Sequence, residues 1–242
     1  MNFNFILISI FTLSIIFSPI TFAKDAEEEK SPWVGKTSLG YLATSGNTDN
    51  KTLNTGFELG YTADKLTHLA EVFAIKASES ERTSAEAYEL RWKTERQLTE
   101  HDFLFGRLQW RKDRFGGYAT QFSQTVGYGR RLMENDKHQL NTEIGAGARQ
   151  SETQLGFKDD EIVGRAGLYY EWQFSDTAQF RQDLMTEVGK INTYSESVTS
   201  ISAKLVGDLA LVTSYTIKNN SDVPSSIEKT DTYTALSIEY QF

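Results

Sequence analysis

From Trp33 to Phe242, apolar and polar residues alternate in short runs separated by turn-forming clusters, and no stretch carries a convincing helical period. Leu53, Thr55, Phe57, Leu59 and Tyr61 alternate with Asn54, Gly56, Glu58 and Gly60. Leu140, Thr142, Ile144, Ala146 and Ala148 alternate with Gln139, Asn141, Glu143, Gly145 and Gly147. Phe180, Leu184 and Val188 oppose Arg181, Asp183 and Glu187. A period of two marks a strand with one apolar and one polar environment. The pattern predicts twelve strands, at 33–44, 52–61, 68–77, 85–95, 103–111, 120–132, 138–151, 162–173, 178–190, 198–206, 209–218 and 230–242. The stretch 68–77 is mixed on both faces. Turn clusters fall between them at 45–50, 114–117, 134–136, 175–176 and 207–208.

The last strand sets the environment. Phe242, Tyr240, Ile238, Leu236 and Thr234 share one face, and Gln241, Glu239, Ser237 and Ala235 take the other, broken only by Tyr233. A strand of this kind that stops on an aromatic residue resembles the closing strand of bacterial outer-membrane β-barrels. The resemblance implies that Leu236, Ile238, Tyr240 and Phe242 form the membrane-insertion signal, read by the barrel insertion machinery. The competing reading is the last strand of a soluble β-sandwich. The remaining aromatics decide between them. With both termini in the periplasm, Tyr61, Trp92, Tyr128, Tyr170, Trp172, Phe180, Tyr240 and Phe242 fall near one rim, and Tyr41, Tyr88, Trp110 and Phe122 near the other. Two belts of Tyr and Trp suit the two bilayer interfaces, where the ring is apolar and its polar atom stays wet. The longer connections, 112–118, 152–160 and 219–229, fall opposite the termini together with 45–50. Only closure satisfies every backbone group in a bilayer. The expected fold is therefore all-β: a transmembrane antiparallel up-and-down β-barrel of twelve strands.

The amino-terminal end agrees. Residues 1–17 are almost wholly apolar or hydroxylic, Ser18-Pro19 breaks the run, and Thr21-Phe22-Ala23 offers small residues to a signal peptidase. The expected organisation is a signal peptide at 1–23, a flexible acidic periplasmic lead-in at 24–32, and a barrel at 33–242. Nothing after residue 23 approaches eighteen consecutive apolar residues, so no helix is expected to cross a membrane. Zero cysteines exclude a disulfide framework and thiolate chemistry, and three prolines suit long strands. A net charge of −8 argues against a nucleic-acid partner. The expected location is the outer membrane of a bacterial cell, with its lipids as partners.

The order of short motifs resembles a known family. Trp33-x-Gly35 leads to Leu39-Gly40-Tyr41 and Ser45-Gly-Asn-Thr48. Tyr215, Asn219-Asn-Ser221, a Pro224-bearing loop, Asp231 and Ser237-x-x-Tyr240-x-Phe242 follow near the end. This is similar to the DUF481 family, described as salt-induced outer-membrane proteins. The resemblance implies an outer-membrane barrel and a link to salt or osmotic stress, and supplies no reaction or ligand.

Chemistry is sought in the lumen. On the expected register, eleven basic residues face inward: Lys36, Arg91, Lys93, Arg107, Arg111, Arg131, Arg149, Arg165, Arg181, Lys204 and Lys218. Eight acidic residues join them: Glu58, Glu71, Glu89, Glu143, Glu171, Asp183, Glu187 and Glu239. An excess of three positive charges would favour small anionic solutes, with Arg107, Arg131, Arg149, Arg165 and Arg181 as an anion-selective wall. The same alternation produces a salt-bridge network that braces a narrow barrel. Inward glycines at 40, 56, 60, 127, 129, 145, 147, 167 and 189 either make room for long side chains or leave a passage. A hydrolase is the alternative function, but His68, His101 and His138 all follow periplasmic turns, the wrong rim for lipid or surface peptide. Asp159-Asp160-Glu161 and Asn47-Thr48-Asp49 read as solvated loop residues rather than an ion site. No catalytic residue, metal or cofactor is expected. The expected function is a narrow, non-enzymatic channel with weak anion preference, or a structural envelope protein; acidic loops acting in adhesion are the remaining alternative.

Overall fold

The computed structural model describes residues 31–44, 50–80, 82–225 and 227–242. The expected signal peptide and most of the lead-in lie outside the described residues, as do residues 45–49. The strands are β1 (Trp33–Thr44), β2 (Asn50–Ala63), β3 (Leu66–Glu79), β4 (Arg82–Gln97), β5 (Asp102–Asp113), β6 (Tyr118–Glu134), β7 (His138–Thr153), β8 (Lys158–Ser175), β9 (Ala178–Gly189), β10 (Thr193–Val206), β11 (Leu209–Asn220) and β12 (Thr230–Gln241). Each pairs antiparallel with its sequence neighbours and β12 returns to β1, closing a twelve-stranded barrel. Both chain ends of the barrel lie at one rim, the terminal rim; the opposite one is the loop rim.

Several strands outrun the expected boundaries. A tilted strand crosses hydrocarbon in about 9–11 residues, whereas β6, β7 and β8 have 17, 16 and 18. These three neighbours continue past the apolar band at the loop rim. Ala148 and Ile162 pair on the outer face, and one step beyond them Gln150 pairs with Asp160. Polar residues there keep the ladder because strand pairing costs nothing in water when both edges find partners. The expected loops at 112–118 and 152–160 therefore shrink to 114–117 and 154–157. The second closes as a hairpin in which Gly156, at φ 83°, donates to the Thr153 carbonyl. The connection 221–229 stays long.

Strand β10 begins at Thr193, five residues before the expected start. Its outer face there is Ser195, Ser197 and Thr199 rather than aliphatic, which hides a strand from a reading based on apolar alternation.

The outer face is otherwise that of a membrane-spanning barrel. Ile162, Ile144 and Leu39 are 82 %, 67 % and 61 % exposed, and apolar area on this scale requires lipid rather than water. The aromatics form the two expected belts. At the terminal rim Trp33 packs on Tyr61 with centroids 4.5 Å apart, and His68 lies between Tyr61 and Trp92 at 6.5 and 6.3 Å. His138 stacks against Tyr170 and Trp172 at 6.1 and 6.0 Å.

Closure is brief. The β1–β12 ladder spans only Lys36–Leu39 against Gln241–Ile238, extended by reciprocal backbone bonds between Gly35 and Phe242 of 2.8 and 2.9 Å. Leu236, Ile238, Tyr240 and Phe242 all face outward, and the Phe242 ring covers the position a side chain at Gly35 would occupy. Deleting Phe242 removes two backbone bonds, together about 1–3 kcal/mol, and uncovers Gly35. The expected result is a severalfold smaller fraction of heat-modifiable barrel on unboiled gels, with Gly35→Val acting in the same direction. Undiminished folding of both variants would show that closure rests elsewhere.

Candidate functional site

In an antiparallel ladder, residues opposite one another share a face, so register fixes what the lumen contains. One ring runs Lys36, Glu58, Glu71, Arg91, Gln109, Ser123, Arg149, Glu161 across eight strands. A neighbouring course runs Arg165, Glu187, Tyr194, Asn220 across β8 to β11. Apart from Glu58 opposite Glu71, charges of opposite sign thus meet around the wall.

They meet as pairs. Arg91 donates to Glu89 at 2.5 Å and to Glu196 at 2.6 Å, and Lys218 reaches Glu89 at 3.1 Å. Gln109 also donates to Glu89. Glu196 accepts from the Tyr194 hydroxyl at 2.5 Å, and Arg111 Cζ lies over the Tyr194 ring, 3.5 Å from its centre. Deeper in the β6–β9 wall, Glu187 receives Ser123 at 2.8 Å and Arg165 at 3.1 Å, with Arg149 at 3.5 Å. Arg149 and Glu187 have no solvent exposure. Lys93 pairs with Glu143 and, at 2.6 Å, with Glu95, its ammonium 5.4–5.8 Å from the rings of Phe103, Phe105 and Tyr169.

The five arginines expected as a wall all face the lumen, but they are divided. Arg149 is sealed within the packed wall and held by Glu161 at 2.6 Å and by the Asn192 carbonyl. Arg107, Arg131, Arg165 and Arg181 line a cavity at the terminal end. Arg131, Arg165 and Arg181 are paired with Glu95, Glu187 and Asp183.

The charge balance also changes. Glu95, Asp113, Asp159, Glu161, Glu196 and Asp231 face inward as well, which turns the expected positive excess of three into a negative excess of three. Reading β8 as starting at residue 162 and β10 at 198 hides Asp159, Glu161 and Glu196. The signal was present in the alternation of Tyr194, Glu196 and Val198 with Ser195, Ser197 and Thr199. Of the inward glycines of β6 and β7, Gly127, Gly129 and Gly145 seat rings, and Gly147 lies against Thr125 and the Gln124 carbonyl. Phe103 fills the space above Gly129, and Phe105 that above Gly127.

The lumen is consequently lopsided. Towards the loop rim the β5–β10 side is packed, and loops cover it. Asn192 donates to Asn220 at 2.8 Å and accepts from the Asp222 amide at 3.2 Å, while Gln154 donates to the carbonyls of Asp113 and Gly116. Space remains on the other side. A mouth cavity of about 270 Å³ at the loop rim includes Thr52, Ala77, Asp113 and Asp231 in its lining. A middle cavity of about 220 Å³ follows, lined by Lys36, Glu58, Glu71, Glu89, Lys218 and Glu239 among others. Ile75 and Tyr233 border both, and the Tyr233 hydroxyl donates to Asp113 at 3.3 Å. The third cavity, of about 180 Å³, is the arginine-lined one at the terminal end.

The histidines stand apart from this chemistry. His68 and His138 sit in the outer aromatic belt, and His138 Nδ1 is 2.9 Å from the Tyr170 hydroxyl. His101 lies in the β4–β5 turn. Asp159 and Glu161 point inward and Asp160 outward, and Glu161 is taken by Arg149. Among the described residues no three His, Cys, Asp or Glu side chains gather to hold a metal ion; Asn47-Thr48-Asp49 lies outside them.

Comparison with known proteins supports the same architecture. A model of the family described as "Protein of unknown function, DUF481" matches residues 37–242. The uncharacterized protein YdiY of Escherichia coli (strain K12) is 30% identical over 224 residues, 92% of this chain and 88% of that protein. Among solved structures, the COG4313 outer membrane channel from Pseudomonas putida F1 superposes with a TM-score of 0.52 at 11% identity, covering 92% of this chain and 100% of its own. At that identity the likeness concerns the fold.

The packed wall generates a test. Glu187→Gln leaves Arg149 and Arg165 short of a buried counter-charge, a loss of about 3–5 kcal/mol. Glu171→Gln removes a pair whose partners are 34 % and 35 % exposed, costing under about 1 kcal/mol. Urea unfolding in lipid vesicles should rank the two in that order; equal losses would mean the buried network does not brace the barrel.

Proposed function

We infer the function of this chain, which belongs to the DUF481 family, from the state of its lumen. It is an outer-membrane barrel without enzymatic activity that passes small polar solutes along one side of the lumen. The terminal rim faces the periplasm and the loop rim the cell exterior. The observation that carries this reading is the succession of mouth and middle cavities against the β1–β4 and β11–β12 walls, separated by Ile75 and Tyr233. The opposite wall is braced by buried ion pairs and carries no solute.

The charges beside the route set its preference. Asp113 and Asp231 stand at the mouth. Glu58, Glu71, Glu89, Glu196 and Glu239 outnumber Lys36, Arg91 and Lys218 around the middle cavity. Rings of carboxylates favour cations, so the reading is a narrow, weakly cation-preferring channel. The anion preference expected from the arginines is set aside, because four of the five are neutralised by carboxylates and all five lie off this route.

Planar-bilayer recording of the purified protein should give small currents, with reversal potentials favouring potassium over chloride. Tyr233→Ala should raise the conductance severalfold by opening the constriction, and Asp231→Asn should weaken the cation preference. Chloride preference in the unmodified protein would overturn the selectivity. Silence of both the folded protein and Tyr233→Ala would favour a purely structural barrel, the reading that the buried ion pairs support on their own. Orientation has a separate check: a cysteine at Asp222 should react with an impermeant thiol reagent on intact cells, and one at Asp136 should not.

A further inference from the structure

The arginine-lined cavity at the terminal end takes no part in the proposed route, and its electrostatics are unusual. Arg107 projects into it from β5, opposite Lys93 on one side and Thr125 on the other. Every neighbouring cation is held by at least one carboxylate. Arg131 has Glu95 at 3.6 Å, Arg165 has Glu187 at 3.1 Å, Arg181 has Asp183 at 3.0 Å, and Lys93 has Glu95 and Glu143. Arg107 forms no ion pair among the described residues, and its buried Nε has no hydrogen-bond partner. An enclosed guanidinium without a counter-charge is costly, and a persistent unsatisfied donor at a cavity wall calls for a ligand or water.

We propose that this cavity is a binding site for one small oxyanion, a phosphate or a short carboxylate, gripped by Arg107. The guanidinium is planar and presents paired donors that match two oxygens of such a group. The paired arginines around it are fixed by their carboxylates, so they add donors without needing reorganisation. A volume of about 180 Å³ admits phosphate or a carboxylate of a few carbons. The carboxylates Glu95, Glu171 and Asp183 on the same lining disfavour larger polyanions such as diphosphate. Glu171 and Arg181 remain about one-third exposed, marking the entrance at the terminal rim. At its inner end Arg91 and Glu196, joined at 2.6 Å, border both this cavity and the middle one. The site opens to the compartment that the terminal rim faces, and it stands whether or not the barrel conducts.

The test is equilibrium dialysis of the detergent-solubilised full chain against radiolabelled inorganic phosphate at low ionic strength. Saturable binding is expected, displaced by acetate, and weakened at least tenfold in Arg107→Gln. Lys36→Gln, in the middle cavity, should bind as the unmodified protein does. Binding that is absent in the unmodified protein, or equal in Arg107→Gln, overturns the site. If Arg107→Gln fails to fold, a cysteine at Asn141 on the cavity lining gives a second arm. Its alkylation with a bulky thiol reagent should abolish phosphate binding while leaving the barrel heat-modifiable, and retained binding would refute the assignment.

Discussion

A backbone N–H or C=O in hydrocarbon has no water to turn to, and each one left unpaired costs several kcal/mol. The rest of this structure answers to that constraint. A sheet in a bilayer must close, closure forces every strand to show one face to lipid and one to the lumen, and the alternation seen along the chain follows. Once the outer face is committed to aliphatic residues and two aromatic belts, all charge that the strands carry must go inward or to the rims. The lumen is crowded with Arg, Lys and Glu because they have nowhere else to be.

Twelve strands make that interior awkward. Eight-stranded barrels are filled by their own side chains, whereas sixteen strands leave a water channel. Here the chain does both, on opposite sides. On β5–β10, rings seated over glycines and long paired side chains fill the space except for the arginine-lined cavity at the terminal end. A carboxylate such as Glu187 sits between two arginines so that none is left uncompensated in low dielectric. On β1–β4 and β11–β12 the inward residues are shorter or fewer: Ser38, Gly56, Ser214, Thr216 and Ala235. Cavities survive there between the longer side chains, and Ile75 and Tyr233 border both of them.

Strand number, topology and outward faces were legible because a two-residue period is enforced wherever one side meets lipid. The rims were less so. Beyond the bilayer the outer face can be polar, as at Gln150 and Asp160, so alternation of apolar residues stops while the ladder continues. Asp159, Glu161 and Glu196 were lost for this reason, and together with Glu95, Asp113 and Asp231 they reverse the sign of the lumen. Inward direction could be read for Arg107, Arg131, Arg149, Arg165 and Arg181; their partners could not. Glu187 meets Ser123, sixty-four positions away, and such a meeting depends on how far side chains reach across a curved wall. Charge counts therefore described the interior as a sum, when what governs a solute is the charge left beside open space.

The same constraint singles out the seam. Every other strand pair is laddered along its length, but β1 and β12 pair only between Lys36–Leu39 and Gln241–Ile238. Above this the Leu236 carbonyl occupies the lumen side of Gly40, where any side chain would collide with it. The ladder between the two edges ends at Leu39 and Ile238. The joint that closes the barrel is thus its least bonded, and the groups that secure it are concentrated at the terminal rim. Phe242 is placed where that matters most. Its amide and carbonyl both bond Gly35, its ring shields that glycine from lipid, and Tyr240 stacks against it at 6.1 Å. A terminal aromatic on an otherwise short seam is therefore a structural fastener by its own contacts, independently of any machinery that recognises it.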